Sequence, residues 1–333
     1  MTTASAGATS ATPSAAPAGA KRAAASALGA TLVTSEQPAD ATARRVAGPR
    51  VRRRGGVAWL GLTPFAAYVL LFLAVPAVIA IGSGFFDASG RPTFANLAAF
   101  ADPSVLRAFG GSFALSAVSA VIGAVIGAIV CWALAALRPD GLVRSMIDSA
   151  ASVLAQFGGV MLAFAFIATI GVQGLVTTWL VSTFHVDRNA TGGLLYTVPG
   201  LVVPYVYFQV PLMVLTFMPA LEGVKSQWGE AAATLGAPRA TYWRRIGLPV
   251  LAPAFWGSLL LLFANGFSSF ATAAALISQG GIVPLTIRAQ LTSETIIGLQ
   301  NVAGVLAFGM VVVMAVVMGG YSLLQRRAAR WQR

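Results

Sequence analysis

Charged residues are scarce in this chain: they make up 10% of its 333 residues, and only 10 residues are acidic. A soluble globular domain carries about 25% charged residues, so the composition excludes an ordinary soluble domain. Hydrophobic residues make up 57% of the chain, and the mean hydropathy is +0.79. We therefore expect an integral membrane protein, with helical spans of about 20 residues each.

Cysteine and histidine, which often act in catalysis or metal binding, are equally scarce. The chain has one cysteine, Cys131, inside an apolar run, and one histidine, His185, in a connecting loop. Disulfides and cysteine metal sites need more thiols, and an intramembrane hydrolase needs a nucleophile with a base or paired metal ligands. We expect no catalytic residues, no metal site and no cofactor, so the protein is not predicted to be an enzyme.

A phosphate-binding loop is also missing. The pattern GxxxxGK[ST] needs a lysine after glycine, but the only lysines are Lys21 and Lys225, and Val224 precedes the second. If ATP drives this protein, a separate polypeptide must bind it.

Six apolar runs are long enough to cross a membrane core about 30 Å thick. They lie at about 57–84, 110–137, 150–180, 194–220, 250–277 and 300–324. Their interiors lack Asp, Glu, His and Lys, which ion-driven transporters keep within their spans for function. This argues against an ion-coupled secondary transporter. Sodium coupling through carbonyls and hydroxyls stays open, as does a membrane scaffold that transports nothing.

Basic residues are distributed unevenly, although the net charge is +12. All but four of the 22 lie in residues 1–56, at 138–144, at 225–245 or in the last eight positions. The exceptions are Arg91, Arg107, Arg188 and Arg288. This positive-inside pattern predicts both termini in the cytoplasm and gives no indication of nucleic-acid binding.

The same division predicts the domain organisation. Residues 1–56 are rich in Ala, Ser, Thr and Pro and lack apolar periodicity, so we expect a disordered cytoplasmic tail. Residues 57–325 form the transmembrane domain, with a long cytoplasmic segment at 221–249, and residues 326–333 form a cytoplasmic C-terminal tail.

Polar residues recur in the fifth apolar run. They are Ser258, Asn265, Ser268, Ser269 and Thr272, and helical spacing would place them on one stripe. The stripe either lines a translocation path or makes hydrogen bonds between helices, each typically worth about 0.6–2 kcal/mol. Gln209 and Tyr205 on the fourth run are further candidates of the same kind. That run also has four prolines, which predict a bent or broken helix bordering the path.

The stretch EAAATLGAPRATYWRRIGLP, Glu230–Pro249, interrupts the apolar pattern between the fourth and fifth runs; we call it the signature segment. Gly236 is placed to end one short helix in a left-handed cap, and Pro238 to begin a second that ends near Gly247. Its alanines favour close contact with another protein. The alternative is an amphipathic helix on the lipid surface, which Tyr242 and Trp243 would suit.

The signature segment resembles the shared motif of the membrane-spanning permease subunits of binding-protein-dependent ABC importers. That motif reads EAA, three residues, G, nine residues, I-x-L-P. Every fixed position is matched by Glu230, Ala231, Ala232, Gly236, Ile246, Leu248 and Pro249. The resemblance covers about residues 60–325.

The resemblance implies a type I importer permease fold in a bacterial inner membrane, with these residues contacting an ATP-binding subunit as coupling helices. It implies two ATP-binding subunits, a second permease that is identical or a paralogue, and an external solute-binding protein, all working within membrane lipid. The fifth run and the loop after it look like the spermidine/putrescine branch, which favours a polyamine-like solute. Iron, thiamine, phosphonate and sugar stay open as alternatives.

Overall fold

The computed structural model describes residues 55–87, 89–138, 141–185, 187, 192–277, 280–293 and 299–330. Within these ranges the regular elements are all helical, and six stretches are long and apolar enough to cross a membrane. These are Leu62–Phe85, Pro103–Ala135, Gly159–Phe184, Pro199–Glu222, Arg239–Ser268 and Gln300–Arg326. The prediction of an all-α fold with six spans is confirmed for this part of the chain. Residues 1–54 of the predicted N-terminal tail and residues 331–333 of the predicted C-terminal tail lie outside the described residues.

The α-helices in the described ranges are numbered in chain order. They are α1 (Gly55–Val69), α2 (Val75–Gly82), α3 (Pro103–Ala135), α4 (Leu142–Gln156), α5 (Gly159–Ile170), α6 (Leu175–Phe184), α7 (Val202–Glu222), α8 (Ser226–Thr234), α9 (Arg239–Tyr242), α10 (Leu248–Ser268), α11 (Ala271–Leu276), α12 (Val283–Leu291) and α13 (Leu299–Arg330). A π-turn, Leu70–Ala74, joins α1 to α2.

The centre of the bundle is formed by α3, α7 and α10, which pack against one another. Glycines on α3 allow the close approach of α7. A Cβ at Gly127 would lie 2.5 Å from the Cβ of Met213, and a Cβ at Gly123 would lie 2.8 Å from that of Gln209. Small interface residues of this kind permit the dense contacts that hold helices together in lipid.

The third apolar run differs from its prediction as one span over 150–180. The structure divides it into α4, α5 and α6, with interruptions at residues 157–158 and 171–174. Gly159 has φ +72°, which glycine adopts without strain. α4 begins at Leu142, outside the predicted run. It packs against α7, and Arg144 near its start pairs with Glu222 at the end of α7.

The fourth run was predicted to be bent or broken by its four prolines. Pro199 begins a 3₁₀ turn, and Pro204 lies near the start of α7, where a missing N–H costs little. Pro211 and Pro219 lie inside α7, yet the helix is continuous from Val202 to Glu222. The prolines therefore do not break this span.

The first span lies at the edge of the described bundle, where its last turn packs against α13. Gly84 meets Gly304 there, and a Cβ on Gly84 would lie 2.8 Å from the Gly304 carbonyl carbon. Large side chains along the rest of the span, such as Phe65 and Phe72, are exposed in the isolated chain. A helix that is apolar on all sides suits a membrane environment.

Candidate functional site

The signature segment begins within α8, which ends as the sequence predicts. Gly236 has φ +75°. Its N–H donates to the Ala233 carbonyl at 2.9 Å, and the Ala237 N–H donates to the Ala232 carbonyl at 2.9 Å. These two bonds form a Schellman motif, which satisfies carbonyls that a helix end leaves unpaired. The glycine cap is confirmed.

The second half of the segment is not a separate helix. The structure runs from α9 through a π-turn, Trp243–Gly247, directly into α10. Gly247 does not end a helix. It leaves room for the Trp243 ring, whose Cε3 would lie 2.5 Å from a Cβ at Gly247. Pro249 has no backbone N–H and so cannot donate a hydrogen bond to the preceding helical turn. The preceding turn is the π-turn, whose hydrogen bonds span five residues instead of four.

The exposed face of α8 carries two of the matched residues, Glu230 and Ala231. Glu230, Ala231 and Ala233 are exposed, whereas Ala232 is buried and faces the protein. Leu235, just before the glycine cap, is 86% exposed. The motif does not include Leu235, but its position beside Gly236 marks it as the apolar tip of the segment.

A groove of about 600 Å³ separates α8 from the junction of α9 and α10. Its walls include Trp228 and Leu235 on one side, and Tyr242 and Ile246 on the other. Pro249 lines its inner end, while Leu248 lies exposed outside it. The segment thus combines small exposed residues, one acidic group and an apolar groove, which suits contact with a protein surface.

The polar stripe predicted on the fifth run does not lie on a single helix. α10 ends at Ser268, so Ser269 lies in the interruption and Thr272 belongs to α11. Ser258 and Thr272 are buried within the chain, whereas Asn265 and Ser268 are exposed. The structure therefore separates residues that continuous helical spacing would have aligned.

Two helix interruptions lie side by side, at residues 157–158 and at 269–270; we call them the paired break. Thr272 Oγ1 accepts from the Gly159 N–H at 3.0 Å and donates to the Gly159 carbonyl at 3.2 Å. The Tyr205 hydroxyl donates to the Ser269 carbonyl at 2.9 Å. Side chains thus satisfy backbone groups that the interruptions expose, as a non-aqueous environment requires.

Gln209 is fully buried between α3, α7 and α10. Its Nε2 donates to the Ser119 hydroxyl at 3.1 Å, and a Cβ at Gly266 would lie 2.9 Å from that nitrogen. Its Oε1 has no hydrogen-bond partner among the described residues. In this conformation Gln209 links helices within the chain.

A buried arginine was missed by sequence reasoning. Arg144 on α4 is only 6% exposed. It pairs with Glu222 at the end of α7, its Nε lies 3.6 Å from Asp148 Oδ2, and its Nη1 donates to the Leu134 carbonyl at 3.4 Å. The contact between Arg144 and Asp148 could have been predicted from their spacing of four residues on one helix. The partner Glu222, 78 residues away, could not have been predicted in this way.

Comparisons with known proteins found a matching family, sequence relatives and solved structures of similar fold. Residues 174–330 match the sequence profile of the family described as binding-protein-dependent transport system inner membrane component. The sulfate transport system permease protein CysT of Salmonella typhimurium is 28% identical over 171 residues, which cover 51% of this chain and 58% of that protein. The sulfate transport system permease protein CysW of Synechocystis is 25% identical over 250 residues, covering 74% and 84%.

Among solved structures, the fold is similar to a chain of a bacterial ABC transporter involved in the import of the acidic polysaccharide alginate. The TM-score is 0.62 at 17% identity, over 82% of this chain and 96% of that one. The match to CysT spans less than two thirds of that relative.

Proposed function

We propose, from the match of residues 174–330 to the family of binding-protein-dependent transport system inner membrane components, that the chain is the membrane-spanning subunit of an ATP-driven importer. In this proposal it forms half of the translocation path and passes on the effect of ATP hydrolysis in another chain. It carries out no chemistry of its own.

The observation that carries this proposal is the exposed signature segment. Glu230 and Ala231 face outward from α8, and the following helix runs without interruption from Arg239 to Ser268. A displacement of the segment by a partner would therefore move the start of a membrane span. We propose an ATP-binding subunit as that partner, with Glu230, Ala231, Ala232 and Gly236 at or beside the contact.

In the proposed assembly, two such permeases, identical or paralogous, meet around a path. Two ATP-binding subunits lie on the cytoplasmic side and a solute-binding protein lies on the outer side. The positive-inside pattern supports cytoplasmic termini and a cytoplasmic signature segment, in the plasma membrane of a bacterium. We propose the exposed groups Asn265 and Ser268, beside the paired break, as part of the path, with Ser269 close to it.

Two classes of solute follow from different observations. The resemblance of the fifth run to the spermidine/putrescine branch predicts a polyamine. The curated relatives reported above are sulfate permeases, and they give the polyamine prediction no support. We therefore propose a small oxyanion such as sulfate as the first solute to test. The neutral amide and hydroxyl groups of Asn265 and Ser268 suit a path that leaves selection to the binding protein.

The proposal is tested by purifying the tagged chain with its co-purifying subunits and reconstituting the complex in proteoliposomes. We expect ATP hydrolysis and uptake of a radiolabelled solute that requires both ATP and the binding protein. Sulfate, spermidine and a disaccharide are compared as solutes. Uptake that persists without ATP and collapses with an ion gradient would instead favour a secondary transporter.

A further inference from the structure

Resting on the function proposed above, we infer that Arg144 is a positioning residue that connects the signature segment to α4 and, through α4, to the paired break. Three observations carry this inference: the burial and partners of Arg144, the short link from Glu222 to α8, and the position of the far end of α4.

The burial of Arg144 makes its partners matter. Its side chain is 7% exposed, whereas those of Glu222 and Asp148 are 52% and 46% exposed. A guanidinium that is removed from water is stable only when it is paired and hydrogen-bonded. The end of α7 at Glu222 is therefore held to α4, and the Leu134 carbonyl ties the end of α3 to the same group.

The link from Glu222 to α8 is short, and a hydrogen bond ties each of its ends to the adjoining helix. Only residues 223–225 separate the two helices. The Val224 N–H donates to the Leu221 carbonyl, and the Trp228 N–H donates to the Lys225 carbonyl, both at 3.2 Å. A displacement of α8 will therefore be passed to Glu222 rather than absorbed in a slack loop.

The opposite end of α4 reaches the paired break. From Arg144 to Gln156 the helix extends about 18 Å, at about 1.5 Å per residue. The chain then turns at Phe157, and Gly159 exchanges two hydrogen bonds with Thr272. One rigid helix thus joins the arginine to the interruption in the fifth run, providing the contiguous contacts that coupling between distant sites requires.

The test uses the assembled, reconstituted complex. The single cysteine, Cys131, is replaced by serine, and spin labels are placed at Val153 on α4 and Val316 on α13, which are 66% and 71% exposed. If the two permeases are identical, labelled chain is diluted into unlabelled chain. We expect trapping with ATP and vanadate to shift the label distance, by an amount on the order of one helical turn, about 5 Å.

The decisive variant is Glu222→Gln, which keeps shape but removes the charge that pairs with Arg144. We expect it to keep ATP hydrolysis within about twofold while the label shift falls by at least about half. Asp148→Asn is the matched control, because it makes the same change at the longer contact, and it should keep most of the shift. A full shift in Glu222→Gln would overturn the inference.

The double variant Arg144→Met/Glu222→Gln distinguishes a role of Arg144 in coupling from a purely structural role. Removing both partners leaves no unpaired buried charge, so the thermal stability of the complex should recover. We expect the label shift to stay reduced despite that recovery. A shift that recovers together with stability would overturn the inference. Failure of the proposed function is distinct, since the unsubstituted complex would then hydrolyse no ATP.

Discussion

The signature segment and the paired break are both departures from regular transmembrane helix, but they depart for different reasons. In the signature segment, Gly236 supplies a left-handed cap from its own local chemistry, and hydrogen bonds within six residues close the turn. In the paired break, the groups that satisfy Gly159 and Ser269 come from Thr272 and Tyr205, which lie 113 and 64 residues away. The first is a local structure and the second a tertiary one.

This difference indicates which substitutions should affect each region. The signature segment depends on its own backbone and on what binds its exposed face, so substitutions there should alter assembly or local stability. The paired break depends on side chains from neighbouring helices, so removing one oxygen atom should destabilise two helices together.

The largest effect is expected from reversing the charge of Glu230. Because Glu230 is exposed on α8, Glu230→Lys should leave the fold intact. Loss of a paired interfacial charge should lower ATP-driven uptake roughly tenfold or more. Uptake per purified complex measures the effect. Glu230→Gln should give a smaller loss, and Asp87→Asn, in a loop outside the segment, should give little. Unchanged association with the ATP-binding subunit and unchanged uptake in Glu230→Lys would contradict the proposed contact.

The paired break is tested by Thr272→Val. The substitution keeps shape but leaves the partly buried Gly159 N–H without its acceptor, which should cost about 1–3 kcal/mol. Denaturant titration of the purified protein measures the loss. Thr292→Val is the control, because Thr292 is exposed and its hydroxyl bonds to carbonyls of its own helix. Equal losses in the two variants would show that the bridge between the interruptions does not stabilise them.

The glycine cap is tested by Gly236→Ala. An alanine Cβ at this position would have free space around it. The loss of stability therefore comes from the left-handed backbone alone and should be about 1–2 kcal/mol. Gly319→Ala is the control, because Gly319 lies inside α13 with open space beside it, and alanine favours a helix there. A Gly236→Ala variant as stable as Gly319→Ala would show that the cap contributes nothing to the segment.

The smallest effect is expected from Tyr205→Phe. It removes one hydroxyl, which donates to the Ser269 carbonyl, and should cost about 1 kcal/mol. The neighbouring Tyr207 is 38% exposed, and Tyr207→Phe should be close to neutral. The same denaturant titration compares them. If the two variants match, the Ser269 carbonyl is stabilised by something other than Tyr205.

How much could be predicted depended on the range of each interaction. Gly236 could be placed because a glycine after a run of helix formers has one common use. The continuous path from α9 into α10 was missed, since Gly247 and Pro249 resemble helix ends until the Trp243 ring and the π-turn are known. The polar stripe was predicted on one helix because nothing near Ser268 in sequence marks the end of α10.

The pairing of Arg144 with Glu222 shows the same limit. Each residue lies where an apolar run gives way to a loop, and in sequence each looks like an ordinary solvated charge. Burial of Arg144 becomes visible only when α3, α4 and α7 are packed together.

What the sequence determined by itself is the membrane class, the number of spans and the identity of the signature segment, because hydropathy, charge distribution and glycine conformation act over short stretches. Only the tertiary structure decided which spans are interrupted, which polar groups are buried and which charges meet. Those outcomes depend on hydrogen bonds and ion pairs between groups on different helices. The partners lie far apart along the chain, and the sequence around one partner does not indicate where the other lies.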